Sequence, residues 1–502
     1  MSFSSIERFK PALKARVGLY SAGLKAYWNQ FDGVKERLQG YGKFIEEKLT
    51  PHAEVCNFGL VDDATSGRKA GEWFNARNVD IVLCHAATYF TSASVLPIHQ
   101  ICKAPVIILN LQPTAQMNYL ETATGEWLAH CNGCPVPELC NALNRAGVGY
   151  KTVNGLLGLS QTPDISVADE VTANRPEAIR AWREIIDWIR AAGVKRTLAH
   201  ARFGFLGNTY SGMLDMYSDF TMLQAQTGLH VEILEMCDLK HSLLQVTDAE
   251  VNHKLGQIEA FFRIEGDSPS ERLARKPTKE QLDWSVRVAA AQERLVREYD
   301  LDALTYYYHG NDDNEYERLQ SGFIVGHSLL TASGIPCAGE GDIKTALAMK
   351  ICDILDTGGS YSEIVARDYQ VGSIIFGHDG PFHIKISDGK PILRGMGLYH
   401  GKRGHGVSVE AQVKPGDVTL LGVTQIVDGR LRMIISEGEA IRRQILMVGN
   451  TQTHVKFSAD PDTYMDKWFI YAPTHHLAMS IGKNTGLFSK VSTLMGIDSV
   501  VV

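Results

Sequence analysis

The chain has 502 residues, 44% of them apolar and 21% charged, with a formal net charge of -7. That length supports two to four domains with cores of their own, so neither disulfides nor a metal ion is needed to hold the fold. The acidic balance gives no electrostatic reason to expect nucleic acid or an anionic membrane as partner; a small neutral molecule fits it better.

The N-terminal segment MSFSSIERFKPALKARVGLYSAG lacks an apolar run of signal-peptide length, and no later stretch approaches the roughly 18 apolar residues that span a bilayer. The reading is a cytoplasmic protein. Nine scattered cysteines then argue for reduced thiols. Cys131, Cys134 and Cys140, with His130 adjacent, are weighed as a zinc site and as a reduced loop; adjacent ligands close poorly on one ion, which favours the loop.

From the start of the chain, short β-branched runs alternate with amphipathic stretches, the pattern of parallel βαβ units. ARVGLYSAG reads as a strand, Trp28 to Leu49 as a helix, AEVCNFGLV as a strand and SGRKAGEWFNARN as a helix; VDIVLCHAATY and APVIILNLQP are further strands. A long helix, RPEAIRAWREIIDWIRAAG, leads into a second round: RTLAHARFGFLGN, HVEILEMCD, and ALTYYYHG running into a polar loop, NDDNEYERLQ. After GIPCAGEGD and the helix TALAMKICDILDTGG the texture turns strand-rich: SEIVARDYQ, GSIIFGHDG, FHIKI, GVSVEAQV, and two strands around a VDGR turn, as in an antiparallel barrel or sandwich. The expected architecture is α/β: two tandem Rossmann-like three-layer domains, 1–194 and 195–358, followed by a C-terminal antiparallel β-barrel domain, 359–502.

Four residues near predicted strand ends carry chemistry: Glu340 in AGEGDIKTA, Glu363 in SYSEIVARDY, His378 in IIFGHDGPFH and His476 in YAPTHHLAM. Two carboxylates and two imidazoles suit manganese, iron, cobalt or zinc better than calcium. Taken singly, each has a bland alternative, an ion-paired glutamate or a hydrogen-bonded core histidine. Glu340 is expected at the carboxyl end of a strand, where open α/β sheets bind ligands, and Asp342 at the N-cap of the next helix. His475 and His476 cannot both face one ion from an extended segment, because successive side chains alternate. Neither GFLGN nor AGEGD has dinucleotide-binding spacing.

GEGDIKTA, GGSYSE, FGHDG and a late THH, in that order, resemble the L-arabinose isomerase and L-fucose isomerase superfamily, and GLYHGKRGHGVSVEAQVKPGDVTLLGVTQ follows its barrel segment. The resemblance implies a three-domain subunit, a divalent cation with manganese the expected ion, and aldose-ketose isomerisation of a pentose or deoxyhexose-type sugar through a cis-enediolate. It also implies a homo-oligomer, trimer or hexamer, with sites near subunit contacts. Carried onto this chain, Glu340 and Glu363 match the carboxylate ligands that also move protons, and His378 and His476 match the imidazole ligands. Asp368 is the rival to Glu363. Gln112 and Gln116 in LNLQPTAQMNY match a sugar-contacting loop, with surface glutamines the bland alternative, and His475 is placed toward the substrate. The chain departs from the family at SAGLKAYW, which lacks the expected Gln. The alternative function is a metal-dependent epimerase, lyase or isomerase acting on a branched or modified sugar.

Overall fold

The computed structural model describes residues 5–160, 171–267, 272–310, 314–396 and 404–502. The chain divides into two compact units, Leu13–Arg196 and a second made of Met1–Ala12 with Thr197–Val502.

In the Leu13–Arg196 unit, β1 (Arg16–Ala22), β2 (Glu54–Val61), β3 (Ile81–Ala86), β4 (Val106–Gln112) and β5 (Tyr150–Leu156) form one parallel sheet in the order β2-β1-β3-β4-β5. β3 is buried at every position, as expected of a strand covered on both faces. Gly18 of β1 lets Phe74 lie against the sheet: a Cβ there would come within 2.9 Å of the ring. The expected Trp28–Leu49 helix is shorter. Gly33 takes φ +81 at the N-cap, so the α-helix runs Val34–Leu49, and a separate 3-10 turn occupies Lys25–Tyr27.

The second unit opens with another parallel sheet. In chain order this part of the unit forms β6 (Arg202–Gly207), β7 (His230–Leu234), β8 (Arg263–Ile264), β9 (Ala274–Arg275), β10 (Ala303–Tyr307) and β11 (Cys337–Ala338), of which β8 and β9 pair elsewhere. The sheet itself has the order β11-β10-β6-β7. The stretch read as a polar loop is a helix where described: Asn314 caps Glu315–Ser321 by accepting from the amides of Tyr316 and Glu317, a local hydrogen bond that outweighs the polar composition. Residues 311–313 of that stretch lie outside the described residues.

The strand-rich region supplies β12 (Gly358–Asp368), β13 (Ser373–Gly377), β14 (Ile392–Met396), β15 (Val407–Glu410), β16 (Gly416–Gln425), β17 (Leu431–Ile441), β18 (Thr453–Lys456), β19 (His476–Ile481) and β20 (Asp498–Val501). Six of them close antiparallel in the order β12-β13-β18-β17-β16-β19 and back to β12, a barrel. Two expected strands fall elsewhere. FHIKI forms a 3-10 turn at Ile384–Ile386, and β15, within GVSVEAQV, pairs with β14 in a separate small sheet completed by β8 and β9. Of the GLYHGKRGHGVSVEAQ stretch, residues 397–403 lie outside the described residues.

One helix binds this unit together. Ile343–Ile354 is buried over Ile343 to Asp353 and packs on β10 as well as on barrel strands β12, β16 and β19, which explains its lack of a polar face. Its two lysines are satisfied internally: Lys344 Nζ donates to Ser218 Oγ at 2.7 Å, and Lys350 Nζ to the Gly334 carbonyl at 2.7 Å. Among the described residues no helix is long and apolar enough to cross a membrane.

Candidate metal centre

Four segments of the second unit converge on one place. Glu340 comes one residue after β11, past Gly339 at the carboxyl end of a parallel strand, and takes the left-handed conformation, φ +60, which is uncommon for a residue with a side chain. Such strain persists where surroundings over-determine it: Gly341 beside it also has φ +75, and a Cβ there would lie 2.5 Å from the Asn208 carbonyl oxygen. Glu363 lies in β12 and His476 opens β19, and the antiparallel register sets them directly opposite each other. On its other side Glu363 pairs with Gly377, one residue before His378.

The side chains meet accordingly. His378 Nε2 is 3.7 Å from Glu340 Oε1; His476 Nε2 is 3.8 Å from Glu340 Oε2 and 4.0 Å from Glu363 Oε2. Ligand atoms each about 2.1 Å from one ion would stand roughly 3 to 4 Å apart, so these separations fit a shared cation. Among the described residues no donor lies within hydrogen-bond distance of buried Glu340 Oε2, the condition of an acceptor open to a cation. Both triads Glu363–His378–His476 and Glu340–His475–His476 have ligand atoms within 4.8 Å of one another.

His476 is fully buried, and Asp342 Oδ2 accepts from its Nδ1 at 3.0 Å. That bond fixes the ring with Nε2 toward the two glutamates, as a carboxylate partner does for a metal-binding imidazole. Asp342 also caps the Ile343–Ile354 helix, accepting from the amides of Lys344 and Thr345 at 3.1 and 3.0 Å. The sequence indicates the cap; the second role of the same carboxylate becomes visible only in three dimensions. Tyr361 packs against both His378 and His476, whose rings also touch each other, with centroids 4.7, 4.5 and 5.0 Å apart, and its hydroxyl lies 2.8 and 2.9 Å from the two ring nitrogens of His476.

The electrostatics follow from this crowding. Burial alone would raise Glu340, but His475, then His476 and His378, outweigh it and hold the carboxyl below its usual range. Burial pushes His476 down, against the pull of Asp342. Burial also disfavours charge on His378, yet Asp379, with Oδ1 3.0 Å from Nδ1, raises it.

His475 behaves differently from the alternation expected of an extended pair. It occupies a bend just before β19, so its Nε2 also approaches Glu340 Oε2, at 3.7 Å. Its Nδ1 meets Asp215 Oδ2 at 2.6 Å. Of the rival carboxylates, Glu363 stands among these groups, whereas Asp368 accepts from the amides of Gln370 and Val371 in the turn that ends β12. Gln112 and Gln116 belong to the other unit; there Gln112 donates its amide to the Thr114 carbonyl, and the Gln116 carbonyl accepts from the Thr114 hydroxyl. The cysteine cluster forms no ion-binding group among the described residues: all three thiols are free, and both ring nitrogens of His130 are engaged, by Thr114 and Glu126.

Beside Glu340 and His378 opens a cavity of about 210 Å³, walled partly by Tyr210, Met213, Tyr307 and Ile324. Carboxylates, imidazoles and room for a small molecule are thus adjacent. Sequence reasoning passed over Asp215, Tyr361 and Asp379. Asp379 stands within GHDG, but nothing along the chain ties Asp215 to a histidine 260 residues away.

No family model matches the chain. It is similar to the L-arabinose isomerases of Klebsiella pneumoniae (strain 342), 21% identical, and Escherichia coli (strain K12), 20% identical, each over 332 residues that cover 64% of both chains. That of Vibrio parahaemolyticus is 20% identical over 349 residues, covering 67% of each. The chain therefore spans just under two thirds of the first two relatives' length, and it is a distant relative of L-arabinose isomerases. Among solved structures, a gut microbial diltiazem-metabolizing enzyme matches 29% of the chain at 10% identity with a TM-score of 0.17, too low to bear on the fold.

Proposed function

We propose that the chain is a metal-dependent sugar isomerase that interconverts an aldose and its ketose. The observation that carries this reading is the convergence of Glu340, Glu363, His378 and His476 from a sheet end and three barrel strands: Glu363, His378 and His476 bring ligand atoms within 4.8 Å of one another, and Glu340 reaches both histidines at 3.7 and 3.8 Å. The distant L-arabinose isomerase relatives point the same way. The four residues would hold a divalent ion, Mn2+ in the first instance, whose chemistry when bound is Lewis-acid polarisation of a carbonyl.

The chain's own groups supply the proton traffic. An open-chain aldose lying against Glu340 and Glu363 loses the proton on C2 to one carboxylate while its carbonyl oxygen O1 gains one from the other carboxyl, which takes the O2 proton in return, giving a cis-enediolate. Return of the proton to C1 and collapse of the C2 oxygen to a carbonyl yield the ketose, with no atom gained or lost. Gln112 and Gln116 are assigned to sugar hydroxyls and His475 to the substrate. The same reading takes the parallel sheets as tandem Rossmann-like domains and the protein as a cytoplasmic homo-oligomer with sites near subunit contacts.

Ketose formation from a panel of aldopentoses and deoxyhexoses is the test. Chelation should abolish it and Mn2+ restore it; Glu340→Gln and Glu363→Gln should each lower turnover by about 100-fold or more at unchanged fold. Turnover indifferent to chelator and to both variants would overturn the proposal.

A further inference from the structure

The segment Asn208–Asp219, between β6 and the helix Phe220–Thr227, has little regular structure of its own, only a 3-10 turn at Leu214–Met216. It is nevertheless fastened to the candidate centre at several points. The Tyr210 amide donates to the Glu340 carbonyl at 2.9 Å, Ser218 Oγ accepts from buried Lys344 at 2.7 Å, and the Asp219 amide donates to Gln425 at 3.0 Å. Between these lies Asp215, whose Oδ2 accepts from both the backbone amide of His475, at 3.0 Å, and its ring Nδ1, at 2.6 Å.

The need for that double bond is physical. His476 is held by the β19 ladder and by Asp342, but His475 precedes the strand, on a bend, with its side chain one-third exposed. An imidazole so placed keeps its rotamers unless something fixes it. Asp215 fixes both ends of the residue, and with Nδ1 engaged the ring presents Nε2 toward Glu340, whose side chain lines the adjoining cavity.

We infer that Asp215 is a positioning residue: it holds His475 toward Glu340 as the substrate-contacting imidazole and leaves the ion to Glu340, Glu363, His378 and His476, although His475 Nε2 also stands within ligand range of Glu340 and His476, and so it couples the Asn208–Asp219 segment to the reaction. The inference rests on the isomerase reading for its kinetic consequence. A misaimed group costs up to about 100-fold in rate, so Asp215→Ala should lower kcat by about 10- to 100-fold with KM changed less than about threefold. Asp215→Asn, which retains an acceptor, should recover part of the loss. In a double-variant cycle with His475→Ala the two losses should not add, because Asp215 acts through His475. Calorimetric titration with Mn2+ alone should give the same affinity for Asp215→Ala as for the wild type.

Additive losses, wild-type kinetics in Asp215→Ala, or a fall in Mn2+ affinity that accompanies the fall in kcat would each overturn the assignment, the last by making His475 a ligand of the ion. Should the wild type convert no aldose, the isomerase reading fails by itself, and the cycle is then read in calorimetric binding of a pentitol to the Mn2+-loaded protein. Weaker binding in Asp215→Ala, not compounded by His475→Ala, would uphold the assignment; unaffected or absent binding would end it.

Discussion

Asp342 serves a helix and a histidine with one carboxylate, and two substitutions separate the roles. Asp342→Ala removes both. Loss of the N-cap costs about 1 kcal/mol, and loss of the charge-assisted bond to buried His476 about 2 kcal/mol, so the metal-free protein should lose about 3 kcal/mol. Asp342→Asn keeps an oxygen to accept from the Lys344 and Thr345 amides but opposes an amide N–H to His476 Nδ1, driving the imidazole toward the tautomer with its proton on Nε2. Its stability loss should stay near 2 kcal/mol, while Mn2+ affinity falls about 10- to 100-fold, the usual effect of losing a carboxylate behind a ligating imidazole. Urea unfolding followed by circular dichroism gives the first quantity and calorimetric titration with Mn2+ the second. Wild-type Mn2+ affinity in Asp342→Asn, or equal stabilities for the two variants, would refute the division of labour.

Breaking the buried Arg394–Glu410 pair, in which Nε and Oε2 lie 2.9 Å apart with both side chains essentially inaccessible, should be severe: Arg394→Ala leaves Glu410 uncompensated and should cost about 3–5 kcal/mol, measured by urea unfolding. Gly341→Ala must place a Cβ at φ +75 only 2.5 Å from the Asn208 oxygen; it should lose about 1–3 kcal/mol for the backbone alone and displace Glu340, which activity would register. Burial pushes His327 down to about 3, among Tyr306 and Phe323 and with no partner among the described residues on either ring nitrogen. Between about 6.5 and 3 the unfolded chain therefore binds the extra proton, so His327 contributes full stability above about pH 6.5 and loses it as the pH falls, by up to about 1.4 kcal/mol per unit. Urea midpoints between pH 7.5 and 4.5 should drop less steeply in His327→Leu; an unchanged slope would show that the ring is already protonated when folded.

Periodicity revealed the parallel strands well, because β1, β3, β4 and β10 are short apolar runs bounded by polar tips. It failed where local bonds or tertiary pairing decided the outcome. Gly33 and the Asn314 cap moved helix boundaries, and FHIKI alternates like a strand but finds no ladder. β15 has strand composition yet pairs outside the barrel, a choice made by β14 and not by its own residues. At the candidate centre the four ligand-type residues stood out because their chemistry is unusual near strand ends. What supports them did not: Asp215 and Tyr361 look ordinary in sequence, and the bend that turns His475 toward Glu340 breaks the simple alternation rule.

The opposition of Glu363 and His476 across one strand pair ties the candidate centre to correct assembly. Sliding β12 along β19 by a single position would turn Glu363 to the opposite face while His476 stays where it is, leaving a protein of nearly native strand content with the centre taken apart. Chains that close the barrel wrongly should therefore be silent, not altered in preference, and the specific activity of a preparation would report directly on how much of it has zipped up in register.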